Sequence, residues 1–267
     1  MPLAVCATPI GNLEDVTLRV LEELRAADVI LCEDTRHTRV LLERHGISGK
    51  RLLSYHEHNE AKRVAEVLPR LEAGERIALV SDAGMPGISD PGGRLVAGAL
   101  AIGLPVTVLP GPTAVETALV SSGFPAERYQ FLGFLPRGSR ALGSLWKELA
   151  AWPHPVVAFE SPQRLQATLR SLAEAEPDRR LAVCRELTKR FEEVLVGTAA
   201  ELAARFDRPP KGEITLVLGP GTGAPENEVA FEAVDELVAA GLARRRAADV
   251  VSRLTGVSRN ELYRRTL

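Results

Sequence analysis

The chain has 267 residues, 45% hydrophobic and 25% charged, and its 33 Lys and Arg nearly balance 35 Asp and Glu for a net charge of −2. Such values describe a globular chain with room for one large domain or two modest ones; they exclude a lone peptide module, a disordered polymer and a protein that coats nucleic acid or membrane through bulk charge. Apolar runs of four to seven residues fall far short of a bilayer span, and the N-terminal MPLAVCATPIGNLED has no basic segment ahead of an apolar one, so a cytoplasmic protein with no membrane partner is expected.

Short β-branched or Leu-rich runs alternate with longer amphipathic segments, which predicts parallel strands joined by crossover helices. The predicted strands are Leu3–Cys6, Asp28–Cys32, Arg76–Val80, Val106–Leu109, Val156–Phe159, Leu181–Cys184, Val194–Gly197 and Ile214–Leu218. Most lack polar alternation, as strands covered on both faces do. The segment Thr17–Ala26 places Leu18, Leu21 and Leu24 on one helical stripe. Thr35–His45 and Glu60–Ala73 each run into a glycine, Gly46 and Gly74, where a left-handed cap is expected, and Pro69 is expected to kink or shorten the second helix. Cys6, Cys32 and Cys184 lie in or beside apolar runs without C-x-x-C spacing, which predicts buried thiols. Trp146 and Trp152 are expected in the core or an interface.

Around Pro110-Gly111-Pro112 one strand-helix series ends and another begins, which divides the chain into a 1–112 α/β domain and a 113–222 α/β domain. Gly219–Asn227 has linker composition, isolating a 223–267 module. There Ala247, Val251 and Leu254 recur at helical spacing, Thr255-Gly256-Val257 breaks the pattern, and Ser258 with Glu261 reads as a capping box for a further helix. From Gly241 to Leu267 seven arginines face two acids, a net +5 in an acidic chain, so a helix-turn-helix-like module that contacts nucleic acid is expected. Overall 28 of the basic residues are Arg, a bias that phosphate recognition and genome composition explain equally.

Ligands of open parallel sheets bind outside the strand carboxyl ends. The residues there are Ala7–Asn12, Ser81–Gly93 and Pro110–Ala114, three Gly/Pro-rich loops that would meet a ligand with backbone rather than side chains. Neither G-x-G-x-x-G nor G-x-x-x-x-G-K-[ST] occurs, which argues against a dinucleotide or nucleoside-triphosphate cradle. In His56-Glu57-His58, strand alternation would put both imidazoles on one face, but no third ligand stands at suitable spacing, so no metal is expected; Asn59 reads as the cap of the next helix.

The strings ATPIGN, CEDTRHT, SYHEHN, SDAGMPGISDPG, LPGPTA, FESPQR and KGEITLV, in that order over nearly the whole chain, resemble the tetrapyrrole-methylase-like superfamily of S-adenosylmethionine-dependent methyltransferases, and within it the branch that methylates ribosomal RNA. The resemblance implies an α/β, two-domain class III methyltransferase fold with a small C-terminal helical module, assembled as a homodimer, with S-adenosyl-L-methionine in the interdomain cleft. It further implies 2′-O-methylation of a cytidine ribose in the decoding region of 16S rRNA within the small ribosomal subunit. The cofactor contacts it carries over fall on Ile10, Ala83, Gly84, Met85, Ile88, Thr113, Ala114, Glu160 and Leu187. Two departures from the tetrapyrrole members, the ATPIGN first loop and Met85 at the aspartate position, fit the RNA-methylating branch.

Transfer to a ribose oxygen needs in-line approach and is helped by a base. Glu160, Lys189 and Glu213 follow or open strands of the second domain and are the expected base and orienting groups. Arg36, Arg164 and Arg185 are expected to meet RNA phosphates, together with Arg244, Arg245, Arg246, Arg259 and Arg264 of the tail. Two other readings use part of the pattern: a methyltransferase acting on a small molecule of tetrapyrrole type, which needs no Arg-rich tail, and a ligand-sensing DNA-binding regulator, for which the last helix is short.

Overall fold

A computed structural model describes residues 2–221 and 226–265; Met1, residues 222–225 of the expected linker and residues 266–267 lie outside them. The first sheet is fully parallel. Its strands β1 (Leu3–Cys6), β2 (Val29–Cys32), β3 (Arg51–Ser54), β4 (Ile77–Leu79) and β5 (Val106–Leu109) lie in the order β3-β2-β4-β1-β5. Side chains alternate between two cores. Ala4, Cys6, Ile30 and Ala78 meet α1 (Leu18–Ala26) and α2 (Thr35–Arg44). Leu3, Val5, Leu31 and Leu79 meet α3 (Glu60–Glu72) and α4 (Gly93–Ala101).

The second sheet corrects the expectation of parallel strands throughout. Strands β6 (Gln130–Phe134), β7 (Val156–Glu160), β8 (Arg180–Arg185), β9 (Glu193–Thr198) and β10 (Ile214–Leu218) run β6-β7-β10-β8-β9, and only β6 and β7 are parallel. The seven residues between β8 and β9 hold no crossover helix, and so short a link joins antiparallel neighbours. One face packs under α6 (Ser139–Leu149), α7 (Pro162–Ala175) and α8 (Ala199–Arg205); the other receives α5 (Ala114–Ser122). The cysteines are free and buried, Trp146 is buried, and Trp152 is 37% exposed beside His154.

Several local expectations shift. Strands β3 and β6 went unpredicted because RLLS and QFLGF lack the β-branched residues that marked the other two edge strands, β5 and β9. Leu18 is 79% exposed, and Val20 takes its place beside Leu21 and Leu24. Gly46 and Gly74 do adopt positive φ, but α3 continues through Pro69 to Glu72. His56–His58 follow the end of β3 and form a turn, not a strand. Asn59 makes no cap bond to α3; it accepts from the His56 amide and donates to the Ser54 carbonyl.

The tail folds as three helices, α9 (Glu226–Ala239), α10 (Arg244–Thr255) and α11 (Arg259–Arg265). Helix α9 stands where composition predicts linker up to Asn227 and no element beyond it before Gly241. Phe231, Val234, Ala247, Ala248, Val251, Val257 and Leu262 form a separate small core, and the principal contacts of these helices are with one another. Leu254, expected on the buried stripe, is 81% exposed; Ala248 packs instead.

Candidate functional site

The loops leaving β1 and β4 are stitched together at the carboxyl edge of the first sheet. Thr8 and Gly84 exchange backbone hydrogen bonds of 2.8 and 3.0 Å, and the Thr8 hydroxyl donates to the Ser81 carbonyl at 3.0 Å. Gly84 sits at φ 77°, and a Cβ built on it would project toward Ile10 Cγ2 at 3.6 Å and the Pro112 carbonyl at 3.8 Å. Three loops therefore converge at a point where one added carbon occupies the gap. Ile10 then reaches out of the first domain into the core formed by Val115, Ala118, Leu119, Val157, Cys184 and Leu187.

Between the sheets lies a cleft of about 780 Å³. Ile10, Ala83, Gly84, Met85, Ile88, Thr113, Ala114, Glu160 and Leu187 all line it, so the structure brings together every residue expected at the cofactor. It adds Ser89, Asp90, Glu116, Tyr129, Phe131, Phe134, Phe159 and Glu213. Phe131 and Phe134 meet Phe159 edge to face at centroid distances of 5.1 and 5.6 Å. This aromatic wall was missed with β6; its signal was the apolar run Tyr129–Leu135. The charged residues of the lining are Asp90, Glu116, Glu160 and Glu213, all acids. Such a cleft favours a cationic ligand and disfavours a phosphate within it.

The expected catalytic groups fare unequally. Glu160 is buried; its oxygens accept from the Ser161 amide, the Thr168 hydroxyl and Arg164, in a network that ties the end of β7 to α7. Lys189 donates to Glu186 at 3.0 Å and to Glu213 at 2.8 Å. Burial opposes its charge, yet these bonds outweigh it and hold the ammonium above the usual lysine range. Glu160 and Lys189 are thus held by several partners each, while Glu213 makes one side-chain bond and its side chain is 73% exposed.

The arginines separate in the same way. Arg164 donates through Nη2 to the Leu135 and Pro136 carbonyls, and Arg185 donates to Glu193 and the Lys211 carbonyl, so each is engaged inside the domain as well as being expected at RNA phosphates. Arg36 folds onto Asp34, but its side chain is 84% exposed and free to exchange partners. Arg245, Arg246 and Arg264 are exposed, Arg244 is half-buried, and exposed Arg259 pairs with Asp249 at 3.1 Å.

The first loop also latches onto the second domain. The Asn12 amide donates to the Thr188 hydroxyl at 2.9 Å, and a methyl on Gly11 would fall 2.8 Å from that oxygen and 2.9 Å from the Leu187 carbonyl. Glu186 and Thr188 hold positive φ here, so the turn has little freedom to retreat. Gly11→Ala is expected to cost about 1–3 kcal/mol through overpacking. Urea unfolding measures it; an unchanged midpoint would show that the two loops do not press on each other.

Residues 2–203 match the model of the tetrapyrrole (corrin/porphyrin) methylases. A ribosomal RNA small subunit methyltransferase I of Mesorhizobium japonicum is 42% identical over 99% of this chain and 91% of its own length. One from Thermotoga maritima is 48% identical over 81% of this chain and 97% of its own. Among solved structures, the uroporphyrin-III-C-methyltransferase of Thermus thermophilus superposes with a TM-score of 0.58 at 22% identity, covering 82% of this chain and 94% of that one. Diphthine synthase gives 0.60 at 14% identity, covering 82% and 90%. The likeness to the solved structures is one of fold, while the family model and the relatives carry the conclusion that the chain belongs to the tetrapyrrole methylase family, among its ribosomal RNA small subunit methyltransferase I members.

Proposed function

We propose that the chain transfers a methyl group from S-adenosyl-L-methionine to the ribose 2′-oxygen of a cytidine in the decoding region of 16S rRNA, acting on the small ribosomal subunit in the cytoplasm. One observation carries the donor's place: nine residues from separate loops line a single cleft whose charged groups are all anionic, which suits a sulfonium cation. The relatives' shared name carries the RNA substrate. The Arg-bearing helices α10 and α11 support it, since a tetrapyrrole substrate has no use for them.

S-adenosylmethionine supplies a methyl group already activated on sulfur. The chain supplies positioning, which in well-oriented reactions is worth about 7–11 kcal/mol. Gly84 and Ala83 allow backbone approach, while Ile10, Met85, Ile88 and Leu187 give apolar walls that displace water. Thr113, at the N-cap of α5, and Ala114 close the cleft from the junction of the domains. Glu160 fixes the start of α7 at its rim, and Lys189 with Glu213 braces the β8–β9 turn that carries Leu187. Arg36 and the α10–α11 arginines meet phosphates outside the acidic cleft.

A homodimer fits the edge strand β5, where Val108 is 53% exposed, and α5, where Val120 is 74% exposed. Among the described residues no helix is long and apolar enough to cross a membrane.

Tritiated methyl transfer onto unmethylated small subunits and onto naked 16S rRNA tests the reading. Label is expected on the subunits, in one alkali-resistant linkage at a decoding-region cytidine. Label on a base, or incorporation confined to a porphyrinoid acceptor, would refute it.

A further inference from the structure

Strands β7 and β8 end, and β10 and β9 begin, along one edge of the second sheet, since Ile214 pairs with both Glu160 and Arg185, and Arg185 pairs with Glu193. The cleft opens on this edge, where Glu160, Leu187, Gly212 and Glu213 line it. Four residues beyond Leu187, on the same β8–β9 turn, Phe191 stands 67% exposed.

A single exposed phenylalanine is ordinary on a protein surface. Three features set this one apart. Its backbone is fixed: Arg190 and Phe191 are the central residues of a turn closed by the Glu192 amide, which donates to the Lys189 carbonyl at 3.1 Å. The Thr188 amide donates to the Glu192 carboxylate, Lys189 bonds Glu186 and Glu213, and Asn12 of the first domain donates to the Thr188 hydroxyl. The ring is therefore held out from a firm base. Next, the Arg190 guanidinium lies over the ring, 5.6 Å from its centroid, which steadies one face and leaves the other to a ligand. Last, the uncommitted charge nearby is positive. Glu186, Glu192 and Glu193 are bonded to Lys189, the Thr188 amide and Arg185. Arg190 and Lys211 are exposed, and among the described residues neither forms an ion pair.

We infer that Phe191 and Arg190 form a stacking platform for single-stranded RNA, an inference that rests on the RNA substrate proposed above. A base flanking the target nucleotide lies on the open face of the ring, and Arg190 and Lys211 meet the phosphates beside it. Unpaired RNA splays its bases onto aromatic side chains in this way, and a guanidinium serves both ring and phosphate. The sheet order β7-β10-β8-β9 puts the turn about three strand spacings, roughly 14 Å, from the end of β7. The ring thus serves a neighbour of the nucleotide in the cleft. Because every base has a π face, the platform gives grip and register, not choice of nucleotide.

The test is methyl transfer to unmethylated small subunits, with S-adenosylhomocysteine binding and oligomeric state measured alongside. Phe191→Ala is expected to raise KM for the subunit about 5–100-fold, the loss of one stacked base, while the rate at saturation and the cofactor affinity stay within about twofold. Phe191→Trp should restore KM; Phe191→Leu, apolar but without a π face, should not. Arg190→Gln should flatten the slope of log affinity against log salt by about 0.7. A photoreactive phenylalanine analogue at position 191 should crosslink to rRNA close to the methylated cytidine. An unchanged KM in F191A, full rescue by leucine or a salt slope unmoved in R190Q overturns the platform alone. So does a crosslink to a ribosomal protein or to a second copy of the chain, or a changed oligomeric state in F191A. A wild-type protein that methylates no RNA overturns the proposed function and this inference with it.

Discussion

A Gly84→Val protein is expected to fold and to lose its methyl donor. At φ 77° a residue with a Cβ costs about 1–2 kcal/mol in the left-handed region, and a β-branched one more. That strain is local, because Thr8 and Gly84 pair through backbone groups that any residue retains. Binding suffers for another reason. The first carbon already sits at ordinary contact distance from Ile10 Cγ2 and the Pro112 carbonyl, so the two methyls beyond it project into the space where the three loops converge. Gly84→Ala, which adds the first carbon alone, should weaken the donor modestly. Gly84→Val should weaken it at least about 100-fold, or ~3 kcal/mol. Calorimetric titration with S-adenosylhomocysteine reads both, and a melting curve separates misfolding from a blocked cleft. Undiminished affinity in the valine protein would move the donor away from this loop.

What could be read in advance follows the physics of burial. Strands covered on both faces carry a strong hydrophobic signal, and six of the ten strands among the described residues were found this way, with the edge strands β5 and β9 found through their valines. Edge strands bury less, and β3 and β6, which carry no β-branched residue, left no such trace. The loss of β6 hid the Phe131 and Phe134 wall, while the donor-side loops were visible through glycine and proline, whose backbone role is written in their identity. Strand direction in the second sheet was not written there, because periodicity reports burial and says nothing of polarity; the short β8–β9 link was the available clue.

The polar groups were harder still. Position after a strand placed Glu160, Lys189 and Glu213 in the right region but could not reveal their partners. A carboxylate buried against Arg164 and Thr168 and one left 73% exposed beside a lysine look identical in a string of letters. The same holds for arginine: Arg164 bonds main-chain carbonyls 28 and 29 residues away, which no local pattern encodes.

Deleting residues 223–267 is expected to leave donor binding intact and to weaken RNA binding by at least about tenfold at ~0.1 M salt. The deletion removes seven arginines and seven acids, so the net charge of the chain stays at −2 and any loss cannot be assigned to bulk charge. It must come from where the charges stand: the arginines all fall from Arg244 onward, on α10 and α11, while five of the acids precede residue 237. The cores of both sheets should survive, because Phe231, Val251 and Leu262 bury one another in a cluster of their own. Each arginine that meets a single-stranded phosphate adds about 0.7 to the slope of log affinity against log salt. Replacing Arg244, Arg245 and Arg246 by glutamine in the full chain should therefore flatten that slope by up to about two while the module stays folded. Equal RNA affinity of truncated and full-length proteins at matched salt would remove the module from the interface and leave Arg36 and the rim of the cleft to hold the substrate.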